Sequence, residues 1–183
     1  KAKYCETNFQ ILSLIIKYIT GESVNTVLKN IFQELNMSKS YVCEDAHDKS
    51  FVPIGYKSET RDIPLFLTST QNDIISTAKD QMTFLKAFFG GYFFQKEKLN
   101  ELEKWNTIFF PFKYGIGIQK FYMPRFLSPF RPIHDMIGHC GSTGTVAFYV
   151  PDMDLYITGS INQQIRPNIS FQTMINIIHK MKK

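Results

Sequence analysis

The hydrophobic residues of this 183-residue chain change their spacing near position 107. Before it they recur every three or four positions, as on one face of a helix. After it they fall into short runs rich in β-branched and aromatic residues, the mark of strands. Helices followed by a run of strands and a closing helix argue an α+β fold. The chain divides accordingly into residues 1–107, mainly helical with a long loop at 38–72, and residues 108–183, antiparallel sheet strands plus a C-terminal helix.

In the first part, Thr7 is placed to cap a helix with Gln10 at the capping-box position, and Phe9, Ile11, Leu12, Ile15, Ile16 and Ile19 follow before Gly21 stops it. So broad an apolar arc predicts a largely buried helix. Ser23 opens a second helix on which Val24, Val27, Leu28, Ile31, Phe32 and Leu35 form a stripe. From Ser38 to about Asn72 no period holds, and Pro53, Gly55 and Pro64 break a polar stretch longer than an ordinary connection. Such loops often line binding sites. A third helix starts near Ser76 or Thr77, carries Met82, Leu85, Phe88 and Phe89 inward, and ends at Gly90 and Gly91, and a weaker fourth runs from Lys96 to Trp105.

In the second part, Tyr114 to Met123, Val146 to Val150 and Leu155 to Ile161 read as strands. Pro151-Asp152-Met153-Asp154 joins the last two as a hairpin. A final helix from Ser170 places Phe171, Met174, Ile175 and Ile178 on one side, suited to covering one face of the sheet. There is no internal repeat.

The net charge of +5 invites comparison with nucleic-acid binders. Five of the basic residues are Lys1, Lys3, Lys180, Lys182 and Lys183, and without them the remaining 16 Lys and Arg match the 16 Asp and Glu. The charge belongs to the two ends of the chain, so no nucleic-acid partner is expected. Ile11 to Ile19 is interrupted by Ser13 and Lys17 and is far shorter than the roughly 18 residues of a membrane span. Cys5, Cys43 and Cys140 are too few and too scattered for a disulfide framework. His47, His134, His139 and His179 have no short ligand spacing, and Cys43 near His47 is a two-ligand fragment, so neither a metal nor a cofactor is expected. Asp152 and Asp154 read as turn residues, and Arg125 and Arg131, which flank the Pro-rich stretch 124–132, as solvated loop charges.

Two short segments stand out together: Tyr4-Cys5-Glu6-Thr7-Asn8 before the first helix, and Gly138-His139-Cys140-Gly141-Ser142 before the strand at Val146. Between and beyond them, in order, come Ile74-Ile75-Ser76-Thr77-Ala78-Lys79-Asp80, Tyr114-Gly115-Ile116-Gly117 and the hairpin from Pro151 to Asn162. This succession resembles the serine β-lactamase and penicillin-binding-protein superfamily over nearly the whole chain. The likeness is to its class C-like branch of β-lactamases, D-Ala-D-Ala carboxypeptidases, D-aminopeptidases and esterases.

The resemblance implies part of the β-lactamase/transpeptidase-like fold and a serine hydrolase that works through an acyl-enzyme on a D-amino-acid peptide, a β-lactam or an ester. Such an enzyme combines a nucleophilic Ser in Ser-x-x-Lys, a Tyr-x-Asn motif, and a Lys-Thr-Gly or His-x-Gly motif on a sheet strand. Carried onto this sequence, it implies Tyr4 and His139 as catalytic groups. Glu6, Cys140, Gly141 and Ser142 become substrate-binding or oxyanion residues, with Ser142 contributing its backbone N–H.

Glu6 replaces the Asn with an acceptor-only carboxylate, and Cys140 replaces a hydroxyl residue with a weaker donor. Ser76-Thr77-Ala78-Lys79 matches Ser-x-x-Lys in letters but sits at a helix start, where it reads as a cap. The nucleophile of the resembling enzymes lies upstream of Tyr-x-Asn. The expectation is therefore a C-terminal part of such a protein, lacking an N-terminal helix and the first sheet strands and inactive alone. The resemblance also favours an extracytoplasmic location. A sheet without its first strands exposes an edge, so self-association or a retained N-terminal piece is expected there. The alternative is a non-catalytic relative that binds a peptidoglycan-like ligand.

Overall fold

The computed structural model describes residues 5, 7–43, 53, 55–56, 61–62, 74–166 and 168–181. Tyr4, Glu6, His47, the lysines at 1, 3, 182 and 183, and most of the 38–72 loop lie outside the described residues.

The helices are α1 (Thr7–Thr20), α2 (Val24–Glu34), α3 (Ala78–Gly90), the single turn α4 (Leu99–Leu102) and α5 (Asn168–Met181). Among the described residues, four two-residue strands lie between α2 and α3, β1 (Tyr41–Val42), β2 (Gly55–Tyr56), β3 (Arg61–Asp62) and β4 (Ile74–Ile75), paired β1 with β4 and β2 with β3. The main sheet holds β5 (Asn106–Phe109), β6 (Phe112–Tyr114), β7 (Gln119–Phe121), β8 (Met136–Cys140), β9 (Thr145–Val150) and β10 (Leu155–Ser160). It is an antiparallel six-stranded meander in which each strand pairs with its neighbour in sequence, leaving β5 and β10 as its edges among the described residues.

Alternation along β9 assigns the two faces of the sheet. Val146, Phe148 and Val150 point one way and, with Phe121 and Met136, form a closed core under Met174 and Ile178 of α5. Ala147 and Tyr149 point the other way, toward a core of Ile118 and Ile137 with Leu85 and Phe89 of α3. A third cluster, Phe32, Met37 and Val42 with Phe84 packed against it, ties α2 to α3.

Caps set several ends. Ser23 Oγ accepts the Thr26 N–H at 3.1 Å to start α2, and Thr77 Oγ1 accepts the Asp80 N–H at 3.2 Å to start α3, so the Ser76–Lys79 segment is a helix start, as expected. Asp80 in that first turn is buried, and its Oδ2 accepts from the Lys39 N–H and the Ser40 hydroxyl, each at 2.9 Å. Gly91 closes α3 at φ 85°, a left-handed cap that glycine adopts without a Cβ penalty.

Several elements differ from the sequence expectation. α1 buries no residue, although Phe9 and Leu12 line a cavity and the helix touches α2, so a broad apolar arc did not mean burial. Thr7 is its first helical residue and not its cap. The weak fourth helix is reduced to a 3-10 turn, Lys96–Lys98, and α4. Tyr114 to Met123 is two strands, β6 and β7, because the Gly115 N–H donates to the Ile118 carbonyl at 2.9 Å and turns the chain. β5 and β8 carry too little alternation to be read as strands beforehand, and α5 begins two residues earlier than expected.

Candidate active site

β8 has the sequence Met-Ile-Gly-His-Cys, and its alternation separates its two chemically active side chains. Met136 belongs to the α5-side core and Ile137 to the α3 side, so His139 faces the helical layer and Cys140 faces α5. Gly138 lets β9 come close: a Cβ there would lie 2.0 Å from the Ala147 carbonyl oxygen. His139 therefore rides on a tightly held strand.

The His139 ring stands between two cavities. The larger, about 400 Å³, lies between α2, α3 and the sheet; its walls are mostly apolar, with Phe32, Phe84, Phe88 and Ile118 prominent, and Ser76 and Gln81 bring polar groups to it. Gln81 Oε1 is buried there without a hydrogen-bond partner among the described residues. The smaller, about 200 Å³, is lined by Cys5, Asn8, Phe9, Leu12 and Tyr114 together with His139. Tyr114 meets the imidazole edge-to-face with ring centroids 6.0 Å apart.

His139 Nδ1 lies 2.9 Å from the Cys140 carbonyl oxygen. A carbonyl only accepts, so Nδ1 carries the proton and, in the neutral ring, Nε2 presents a lone pair. Burial pushes the imidazole pKa below its ordinary value, against a smaller opposite pull from the Cys140 carbonyl. At neutral pH the ring is an uncharged proton acceptor. Cys140 differs: its thiol donates to Gln119 Oε1 at 3.1 Å, and burial pushes its pKa up, against a smaller pull from that bond. It is a protonated, occupied side chain on the opposite face of the sheet from His139.

The turn after β8 is held by the Gly141 N–H to the Thr145 carbonyl at 2.8 Å and the Gly144 N–H to the Gly141 carbonyl at 3.1 Å. Ser142, at its exposed corner, has a backbone N–H with no acceptor among the described residues. The Ser142 hydroxyl accepts from Gln164 Nε2 at 3.4 Å, and the Gln164 N–H bonds the Tyr56 carbonyl at 2.8 Å. The one strand pair described within the long loop thus reaches the turn that carries Ser142.

Of the sequence candidates, the structure joins His139, Gly141 and Ser142 in one strand-and-turn unit and turns the Cys140 thiol away. Tyr4 and Glu6 lie outside the described residues, and Cys5 between them lines the smaller cavity with His139. Tyr114 and Gln119 were not singled out as site residues. Tyr114 opened one of the quoted motifs, which was the available signal, whereas nothing in the sequence marks Gln119. Among the described residues no group of three or more His, Cys, Asp or Glu is gathered as for a metal ion.

A helical layer on one face, an antiparallel meander, and a C-terminal helix on the other define an α+β fold of the β-lactamase/transpeptidase-like type. Solved structures share it, among them an amidase and an amidohydrolase. The D-amino acid amidase of Ochrobactrum anthropi SV3, solved with D-phenylalanine, is 19% identical at a TM-score of 0.79, over 100% of this chain and 59% of its own. A D-stereospecific amidohydrolase from Streptomyces sp. is 24% identical at a TM-score of 0.68, over 88% of this chain and 50% of its own. Both belong to the penicillin-binding-protein/β-lactamase-like superfamily. The chain thus spans between half and three-fifths of the length of these structures. No family model matches the sequence.

Proposed function

We propose that this chain is the C-terminal part of a serine hydrolase that cleaves amides of D-amino acids through an acyl-enzyme, its serine supplied by a preceding part of the protein. The observation that carries this reading is the half-buried, neutral His139, with Nδ1 fixed by the Cys140 carbonyl and Nε2 left to accept. The resemblance assigns Tyr4 as the group between His139 and the serine.

In this reading the serine hydroxyl passes its proton to the Lys and Tyr4 pair as its oxygen attacks the substrate carbonyl. Neutral His139 orients the Tyr4 hydroxyl by accepting from it. The oxyanion is met by the Ser142 N–H and the nucleophile's own N–H. The C–N bond then breaks, the proton goes to the departing nitrogen, and water releases the acyl group from the serine.

The apolar cavity between α2 and α3 suits the apolar face of the helix that brings the serine in, with Gln81 Oε1 as an acceptor for one of its polar groups. The open edge of β10 suits a strand from the same preceding part. An amide is favoured over a β-lactam because a carboxylate finds no cation on this strand: His139 is neutral and the Cys140 thiol is committed to Gln119.

Treatment with an activated phosphonate tests both halves of the reading. The chain alone is expected to remain unlabelled, and the protein extended upstream to be labelled once at an upstream serine and to hydrolyse D-phenylalanine amide. Labelling of the isolated chain at Ser76 would overturn the assignment, and an extended protein that binds such amides without turnover would favour the non-catalytic alternative.

A further inference from the structure

The end of the sheet remote from His139 carries a different chemistry. β8 runs from Met136 to His139 and Cys140, so the β5–β6 turn and the loop between β7 and β8 lie beyond its opposite end. The two are joined there by the Tyr122 N–H to the Pro111 carbonyl at 2.9 Å. Phe130 is 96% and Phe126 78% exposed on the loop, and Leu127, Phe109 and Phe110 are each more than half exposed. Single exposed apolar residues are ordinary, but five large ones on two bonded segments form a patch that requires an occupant.

The charges at this end identify the occupant. Arg125 and Arg131 bracket the exposed residues and make no ion pair among the described residues. Lys113 Nζ stands over the Tyr122 ring, 4.3 Å from its centroid. Of the acidic groups, Asp135 is paired with Lys120 at 2.6 Å, while Asp152, bonded to His134 at 2.8 Å, and Asp154, accepting from the Tyr149 hydroxyl at 3.1 Å, sit on the separate β9–β10 turn. Aromatic tips between uncompensated arginines match a lipid surface, whose headgroups take the charge while the outer acyl region takes the rings. A two-fold pairing with a second copy would set each arginine pair against its own image. The patch also lies on the β5 side of the sheet, away from the open β10 edge.

We infer that Phe126, Leu127 and Phe130, supported by Phe109 and Phe110, insert into the headgroup region of an anionic bilayer, with Arg125 and Arg131 bound to lipid phosphates. The protein then rests on the membrane with the His139 end directed away from it. This inference does not depend on the hydrolase reading.

Flotation of the full chain with vesicles tests it, using phosphatidylcholine alone and an equal mixture with phosphatidylglycerol. The chain is expected to float with the mixed vesicles and not with phosphatidylcholine. R125Q/R131Q is expected to weaken binding about thirtyfold, and F126S/F130S by on the order of tenfold or more. These positions are exposed, so circular dichroism should match the parent chain. Phe130→Trp supplies an independent reading, because brominated lipid should quench its fluorescence well beyond that of the parent, whose single Trp is Trp105. No flotation, flotation unchanged by F126S/F130S, or absent quenching overturns the inference. So does a dimer that F126S/F130S converts to a monomer, which would assign the patch to a second copy.

Discussion

The helices α1 and α5, at opposite ends of the chain, are both 14 residues long and both amphipathic, yet one is built into the protein and the other lies on it. α5 buries Ser170, Met174 and Ile178 and closes one face of the sheet, whereas α1, the more apolar of the two, buries nothing. The difference lies in what each meets. α5 lies over a complete layer of Phe121, Met136, Val146, Phe148 and Val150, while α1 has α2 and the rim of the smaller cavity as its neighbours. One face of the sheet is a finished core. The other holds the cavities and His139, the face the proposed function uses.

The strongest challenge to this contrast is to damage the finished face. Phe148 is fully buried, and its ring packs against Phe171 with centroids 5.7 Å apart. Phe148→Ala removes the centre of a core that cannot collapse around the gap, and should cost about 3–5 kcal/mol. Urea denaturation should show the midpoint falling with the slope unchanged. A loss below about 1 kcal/mol would mean that α5 is not closed over the sheet in solution.

A smaller effect is expected at the strand that serves both faces. Gly138→Ala places a methyl group 2.0 Å from the Ala147 carbonyl oxygen and 2.8 Å from the Phe148 Cα. Both neighbours are backbone, so β8 and β9 must separate. The expected cost is about 1–3 kcal/mol; under the proposed function, activity of the extended protein should fall further than stability accounts for because His139 is displaced. Neutral behaviour in both measurements would show that the close strand approach does not hold the site.

The elements legible in the sequence were those whose partners are close along the chain. Ser23, Thr77 and Gly91 fix helix ends through bonds to residues a few positions away, and the β9–β10 hairpin is set by its own turn. The fate of α1 was not legible, because burial depends on what lies opposite and hydrophobic spacing only says which side is ready to be buried. β8 was hidden for a related reason: Gly138 has little strand propensity, and the strand is set by its ladders to β7 and β9. At the candidate site, the His-x-Gly pattern singled out His139, but its tautomer comes from a strand carbonyl and the committed Cys140 thiol from Gln119, neither of which spacing can express.

The pH dependence of stability sharpens the contrast at a lower energy. His139 has its pKa lowered in the folded chain, chiefly by burial, so the unfolded chain binds a proton first as pH falls. Its contribution is fully present above the ordinary histidine value and is lost as pH falls toward the folded one, with a slope of at most about 1.4 kcal/mol per pH unit. His139→Asn should flatten that part of the acid limb of the thermal midpoint, and, under the proposed function, the protein extended upstream should keep hydrolysing D-phenylalanine amide somewhat below the pH at which an exposed histidine charges. An acid limb unchanged by the substitution would place His139 in water and not between the cavities.

The smallest effect belongs to α1. Tyr18 is 91% exposed, and neighbouring Ile19 is also largely open. In this chain Tyr18→Ser and Ile19→Ser should each change stability by no more than about 0.5 kcal/mol, since neither removes a packed contact. The same pair in the protein extended upstream separates two ways of reading the helix. If α1 stays on the surface, the change remains within that range. If the preceding part packs on α1, each substitution should cost about 1.5–3 kcal/mol, the value of a buried apolar side chain. A large loss already in the isolated chain would show that copies of it cover α1 in solution, and concentration-dependent light scattering, reversed by the substitutions, would identify that contact.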